Sequence, residues 1–300
     1  MVSPTGAPWM SLMPAITKPT SPARSIPVLC CFGVKMPMVG YGVFQVDAKE
    51  TERCVSDALA VGYRAIDTAQ AYYNEEGVGA AVAKSGIPRD EIFLTTKVWI
   101  SNAGDKKAAA SIDESLRKLG TDYIDLLLIH QHYGDYYGTW RAMEDALKAG
   151  KVRAIGLSNF DPARITDLML SNTVKPAMLQ VQANVFTQQN ALQTFCDSVS
   201  IPITAWSPLA QSVDGFFTNP TLVSIAEAHG KTVAQVALRW LLQRGIAVIP
   251  KSTHRARMEE NFQLFDFTLS EDDMKAIAGL NRTDAGTVPF DDPKFIKWLI

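Results

Sequence analysis

The segment YIDLLLIHQHYGDYYGTWRAMEDALKAGKVRAIGLS, Tyr123–Ser158, reads as strand, helix, strand, and this reading decides the fold. Tyr123–His130 and Val152–Ser158 are short, evenly apolar runs, too short for helices and suited to buried parallel strands. Between them, Thr139–Ala149 is amphipathic and stops before Gly150, the usual punctuation at a helix C-terminus.

Outward from this unit the alternation repeats. Apolar runs at Met38–Phe44, Arg64–Asp67, Ile92–Lys97, Ala177–Val181, Pro202–Trp206 and Ile246–Pro250 bring the expected strands to eight. Helix-like stretches at Thr51–Val61, Asn74–Ser85 and Lys106–Leu119 fall between the early strands and stop at Gly62, Gly86 and Gly120. Strands alternating with helices imply parallel β/α units. Alternation alone also allows a doubly wound sheet. Eight units in one domain of this size, however, is the arithmetic of an α/β protein with a (β/α)8 TIM barrel. Pro220–His229 and Thr232–Arg244 read as two helices between the seventh and eighth strands. Ile26–Met36 reads as an N-terminal β-hairpin, with its turn at Phe32–Gly33, that caps one end of the barrel.

Composition bounds the partners. The chain has 300 residues, 47% hydrophobic and 20% charged, which suits a globular protein with a sizeable core. A formal net charge of −2 points to neither nucleic acid nor an anionic membrane surface. No apolar run approaches the roughly 18 residues of a membrane span. Cys30, Cys31, Cys54 and Cys196 form no C-x-x-C pair and no metal-type spacing, so they read as buried or free thiols in a reducing, cytoplasmic setting. Residues 1–26 carry Pro4, Pro8, Pro14, Pro19 and Pro22 and lack the basic start and apolar centre of a signal peptide. They read as a dispensable, disordered leader before a single barrel domain over 27–300. A monomer is the default oligomeric state.

Several expected strands end on a polar residue. The second ends at Asp67, the third at Lys97, the fourth at His130, the fifth at Ser158–Asn159 and the eighth at Lys251. Any one of these is ordinary: an Asp after a strand is often a helix cap, and a Lys is often a solvated end. Together they matter, because the C-terminal strand ends of such a barrel converge on one mouth, where active sites sit.

Seven segments carry a resemblance to a known family. IDTAQAYYNEEGVG (Ile66–Gly79), TTKVW (Thr95–Trp99), DLLLIH (Asp125–His130), GLSNF (Gly156–Phe160), AWSPLA (Ala205–Ala210), IPKS (Ile249–Ser252) and RMEENFQLFDF (Arg257–Phe267) resemble the aldo-keto reductases in order and spacing from about Val34 to Leu280. Within that superfamily the likeness is to the 2,5-diketo-gluconate reductase and prostaglandin F synthase-like branch. The resemblance implies NADPH-dependent reduction of small-molecule carbonyls by a tetrad of Asp67, Tyr72, Lys97 and His130. It also implies that Gly42, Val43, Phe44 and Asp67 approach the cofactor. Ser158, Asn159 and Gln180 would then hold the nicotinamide carboxamide, Trp206 would stack on the ring, and Ser207 and Leu209 would line the pyrophosphate. Lys251, Ser252 and Arg257 would surround the 2′-phosphate of NADPH/NADP+, and Glu260 and Asn261 would meet the adenine. Phe44, Tyr72, Trp99 and His130 would face the substrate.

The chemistry is consistent with this. A carbonyl reductase needs an acid near the carbonyl oxygen, and a phenol with a pKa near ~10 is a weak one. Lys97 is expected to lower that pKa, Asp67 to hold the ammonium, and His130 to orient the oxygen where charge develops. No G-x-G-x-x-G joins a strand to a helix, and Gly77-x-Gly79 reads as a packing feature inside a helix. Trp206 replaces a common tyrosine, Gln131-His132 stands where a proline often follows the histidine, and LQVQANV departs from the usual run around Gln180. The short stretch after Asn281 suggests an open substrate mouth.

Three other readings are weighed. A metal-dependent barrel hydrolase would use the H-x-H pair His130 and His132, but His229 and His254, the other histidines, fall on expected helices or loops. A Schiff-base aldolase would need Lys97 uncharged, against its carboxylate partner. A non-catalytic NADPH-binding regulatory module would not need the intact tetrad.

Overall fold

The computed structural model describes residues 27–31, 33–212 and 215–282. The expected leader, and the stretch after Arg282 on which the open-mouth expectation rests, lie outside the described residues. The chain begins with a hairpin in which β1 (Val28–Cys31) pairs antiparallel with β2 (Val34–Pro37). Then come β3 (Tyr41–Gly42), α1 (Ala48–Val61), β4 (Ala65–Asp67), α2 (Glu75–Lys84), β5 (Phe93–Val98), α3 (Asp105–Leu119), β6 (Leu126–Ile129), α4 (Tyr136–Lys148), β7 (Ile155–Ser158) and α5 (Pro162–Ser171). The order continues with β8 (Leu179–Gln182), α6 (Asn190–Ser198), β9 (Ile203–Trp206), α7 (Pro220–His229), α8 (Val233–Gln243), β10 (Ala247–Val248), α9 (Arg255–Phe262) and α10 (Glu271–Ala278).

Strands β3 to β10 form one parallel eight-stranded sheet in sequence order. A parallel bridge between Val39 and Val248 joins its two edges. At this seam Gly40 N donates to Val248 O and Val248 N donates to Met38 O, both at 2.9 Å. The sheet is thereby closed into the (β/α)8 barrel, which leaves it no open edge. The seam strands are shorter than the apolar runs Met38–Phe44 and Ile246–Pro250 predict. The physical reason is proline: Gly42 N donates to Pro250 O at 3.2 Å, but Pro250 has no N–H to extend the ladder. Gly42 is itself required here, since a Cβ on it would stand 2.9 Å from Ile249 O.

Local signals account for the helix ends. Asp47, Asp135, Asp161 and Asn219 each cap a helix by accepting from a first-turn N–H, and α8 opens with a capping box between Thr232 and Gln235. Gly77 and Gly79 lie within α2, as read, and serve packing. A Cβ at Gly79 would stand 2.5 Å from Leu119 O, so the glycine lets α2 lie against the end of α3.

Two apolar clusters divide the interior. The larger fills the layer between strands and helices. The smaller joins Val34 and Met36 of the hairpin to Ala65, Phe93, Leu126, Ala154 and Met178 at the N-terminal ends of the strands. The hairpin therefore plugs the bottom of the barrel with side chains and leaves the opposite mouth for chemistry.

Candidate active site

Side chains alternate along a strand, so Phe93, Thr95 and Lys97 of β5 share one face. That face begins in the apolar bottom cluster and ends with a lysine at the mouth. Lys97 is fully buried and donates to Asp67 Oδ1 at 2.5 Å and to Thr68 O at 2.8 Å. The other Asp67 oxygen, Oδ2, accepts from Gln180 Nε2 at 2.7 Å. Burial lowers the Lys97 pKa, and the Asp67 carboxylate opposes that shift.

Tyr72 closes a single 3-10 turn, Gln70–Tyr72, just after β4. Lys97 Nζ lies 5.1 Å from the centre of its ring. Its edge meets the His130 ring at 5.6 Å between centroids, and Phe44 packs on its other side at 5.0 Å. Trp99 meets His130 from a second direction at 5.0 Å. Tyr73 takes the left-handed conformation, φ 55°, which sends its side chain out to 82% exposure. That conformation costs a non-glycine residue roughly 1–2 kcal/mol. The two adjacent tyrosines therefore face different environments.

One electrostatic expectation is corrected. Tyr72 is not pulled down by Lys97: burial, then the Asp67 carboxylate, push its pKa well above the phenol's ordinary value. Asp67 neutralises the ammonium at 2.5 Å, so little positive field is left to stabilise a phenolate. The phenol is held as a neutral donor. Burial, then Lys97, hold the His130 imidazole well below its ordinary range, so it too is neutral, with Nδ1 buried and unpartnered among the described residues.

That depressed histidine has a pH consequence. Below the unfolded-state value near ~6.5 the unfolded chain binds a proton at His130 that the folded chain refuses. The stability present above that pH is lost as pH falls toward the folded value, with a slope of up to about 1.4 kcal/mol per pH unit. Urea melts between pH 7.5 and 5.5 should therefore fall more steeply for the unmodified protein than for His130→Gln. Parallel slopes would mean that His130 titrates normally.

The expected cofactor residues follow the C-terminal ends of β7 to β10. Ser158 Oγ and Ser207 Oγ are buried without a partner among the described residues. Asn159, at φ 63°, is tied on both sides of its amide: Oδ1 accepts from Trp206 Nε1 at 2.9 Å and Nδ2 donates to His130 O at 3.1 Å. Val43 N donates to Asp67 O at 3.0 Å, and Leu209 is half-buried beside the strained turn that begins at Ser207. Lys251 and Arg257 are exposed and make no ion pair among the described residues, whereas neighbouring Arg255 is paired with Asp57 and Glu259. Ser252 is buried, its carbonyl fixed by Tyr41 at 2.6 Å. Glu260 accepts from Thr232 Oγ1 at 2.6 Å, and Asn261 is buried on α9. Two unpartnered hydroxyls and two unpaired cations along one rim fit a phosphate-bearing dinucleotide.

Three contributors escape sequence reasoning. Asn74 Nδ2 donates to Val43 O at 3.0 Å and its Oδ1 accepts from Thr68 Oγ1 at 2.8 Å, tying the Phe44 loop to the Lys97 contact. His132 Nδ1 meets Asn159 O at 2.6 Å, a contact that the H-x-H pattern does not foresee. Gln70 braces the Trp99 loop through hydrogen bonds. Asn74 and Gln70 stand inside the quoted signature, but nothing in their spacing names such distant partners.

Fold and mouth together define a (β/α)8-barrel enzyme with a buried ion pair beside a neutral phenol. The sequence model of the Aldo/keto reductase family matches residues 31–282, and the chain belongs to that family and is an oxidoreductase. It is 45% identical over 251 residues to the 9,11-endoperoxide prostaglandin H2 reductase of Trypanosoma cruzi, covering 83% of this chain and 89% of the relative. It is 44% identical to the glyoxal reductase of Bacillus subtilis, covering 84% and 91%. Among solved structures, an aldo/keto reductase from Brucella melitensis superposes with a TM-score of 0.83 at 45% identity, covering 85% of this chain and 98% of that one. The Bombyx mori aldo-keto reductase in complex with NADP gives 0.81 at 35% identity, covering 87% and 94%. No described helix is long and apolar enough to cross a membrane.

Proposed function

We propose that this protein reduces aldehydes and ketones to alcohols with NADPH, and that Tyr72 delivers the proton. The observation that carries the reading is a half-buried tyrosine whose phenol is held neutral between Lys97 and His130 at the mouth of the barrel. The NADP complex of the Bombyx mori relative supports the cofactor, and the glyoxal reductase of Bacillus subtilis supports a small carbonyl substrate.

NADPH supplies hydride to the carbonyl carbon. Ser158 and Gln180 would hold its carboxamide, Trp206 would lie against its ring, Ser207 would meet its pyrophosphate, and Lys251 and Arg257 would take its 2′-phosphate. The protein's own part is proton placement. Tyr72 Oη gives its proton to the carbonyl oxygen, and neutral His130 orients that oxygen, so charge never builds up unshielded. Burial and Asp67 disfavour the phenolate left behind, with Lys97 the one cation facing its ring, so the phenol recovers its proton from water. The decisive assay is consumption of NADPH over a panel of aldehydes that includes glyoxal. No turnover with any of them, despite tight NADPH binding, would leave a non-catalytic binding module instead.

Two binding predictions follow from the rim. Removing one partner of a charge-assisted hydrogen bond costs about 1.5–3 kcal/mol, or roughly ten- to a hundredfold in affinity. Arg257→Ala should weaken NADPH by that order and leave NADH almost unchanged. Equal weakening of both would assign Arg257 to the loop or the adenine. NADPH should also quench tryptophan fluorescence, and Trp206→Ala should abolish most of that quench. A surviving quench would move the stacking role to another of the six tryptophans.

A further inference from the structure

Gln70 opens the 3-10 turn that Tyr72 closes. A primary amide offers two acceptor sites and two N–H donors, and Gln70 uses all four. Its Oε1 accepts from Trp99 N and from Asn102 Nδ2, each at 2.9 Å. Its Nε2 donates to Ser111 O and to Ser115 Oγ of α3, each at 3.2 Å. One side chain thus joins the Tyr72 turn, the Trp99 loop and α3. Tyr72 and Trp99 are the two aromatic rings that meet His130, at 5.6 and 5.0 Å. Behind the Trp99 loop lies a cleft of about 240 Å³ lined by Gln70, Tyr73, Trp99, Asn102 and Ser115 among others. Hydrogen bonds from Gln70 thus hold the loop beside this cleft, which gives it space to shift once those bonds are cut.

We propose that Gln70 is a positioning residue. By fixing Trp99 against His130 it sets how well the site accepts bulky aromatic carbonyls relative to small ones. The inference rests on the reading of Trp99 as a wall of the substrate pocket. A large aromatic aldehyde must pack on that wall, whereas a two-carbon dialdehyde fills too little of the mouth to need it.

Two variants separate positioning from general bracing. Gln70→Leu removes all four hydrogen bonds. Gln70→Glu keeps both acceptor bonds, to Trp99 N and Asn102 Nδ2, and loses the donor bond to Ser111 O. Both should melt earlier than the unmodified enzyme, and neither should change the Kd for NADPH. The discriminating readout is the ratio of kcat/KM for an aromatic aldehyde that the unmodified enzyme turns over to that for glyoxal. Gln70→Leu should lower this ratio about tenfold, mainly through KM, the scale of two lost hydrogen bonds. Gln70→Glu should hold it close to the unmodified value. An unchanged ratio in Gln70→Leu, or an equal fall in Gln70→Glu, would overturn the proposal. Trp99→Ala keeps the two failures apart. If it leaves the ratio unchanged, the reading of Trp99 fails and the proposal falls with it. If it lowers the ratio while Gln70→Leu does not, only the role of Gln70 fails.

Discussion

Tyr72→Phe should lower the single-turnover rate of aldehyde reduction by at least about 100-fold, the scale of a lost general acid, while folding and NADPH affinity stay unchanged. The change removes one hydroxyl and keeps the ring that packs between Phe44 and His130. Tyr73→Phe should retain most activity, because its side chain is 82% exposed and turned away by a left-handed backbone. A dead Tyr73→Phe with an active Tyr72→Phe would reverse the assignment. The raised pKa of Tyr72 adds a sign. The phenol stays protonated through neutral and mildly alkaline pH, so the rate should show no alkaline loss from its ionisation below its ordinary value near ~10. An alkaline limb near pH 8 that vanishes in Tyr72→Phe would show that the loaded site depresses the phenol after all.

Asp67→Asn should be the most destabilising single change at the mouth. Lys97 is fully buried, and the substitution leaves its ammonium with the Thr68 carbonyl and a neutral amide. Breaking one side of a buried pair typically costs about 3–5 kcal/mol. Release of the Lys97 proton limits the loss, since burial already lowers that pKa. Replacing both partners by apolar groups of similar volume removes the stranded charge, and such exchanges are often neutral. Asp67→Leu with Lys97→Met should therefore recover most of the stability in urea melts and stay inactive. A double variant that is both stable and active would sever the ion pair from the chemistry. One less stable than Asp67→Asn would show that packing, not charge, dominates here.

The barrel was legible in the chain alone. Its strands read as short apolar runs because parallel strands in a barrel are buried on both faces, and its helices ended where glycines stop them. The same reading singled out Asp67, Lys97 and His130, since each stands at the end of such a run, while the resemblance supplied Tyr72 and the cofactor rim as expectations. A hairpin before the first strand that caps one end was legible too, whereas its seat at the bottom, on Val34 and Met36, came from the structure.

The features that the chain alone does not reveal share one cause: they depend on partners far apart along it. Gln70 meets Trp99, Ser111 and Ser115 at separations of 29, 41 and 45 residues. Trp206 reaches Asn159 across 47 residues. Hydrogen bonds of this kind leave no periodicity, since each needs only one polar side chain at one place. The protonation of Tyr72 is of the same sort. The tetrad implied by the resemblance suggested an acid made stronger by Lys97. Closing the barrel removes water from the phenol and brings Asp67 within 2.5 Å of that lysine, so burial and the carboxylate outweigh it. Desolvation is a property of the packed site, and no stretch of chain carries it alone.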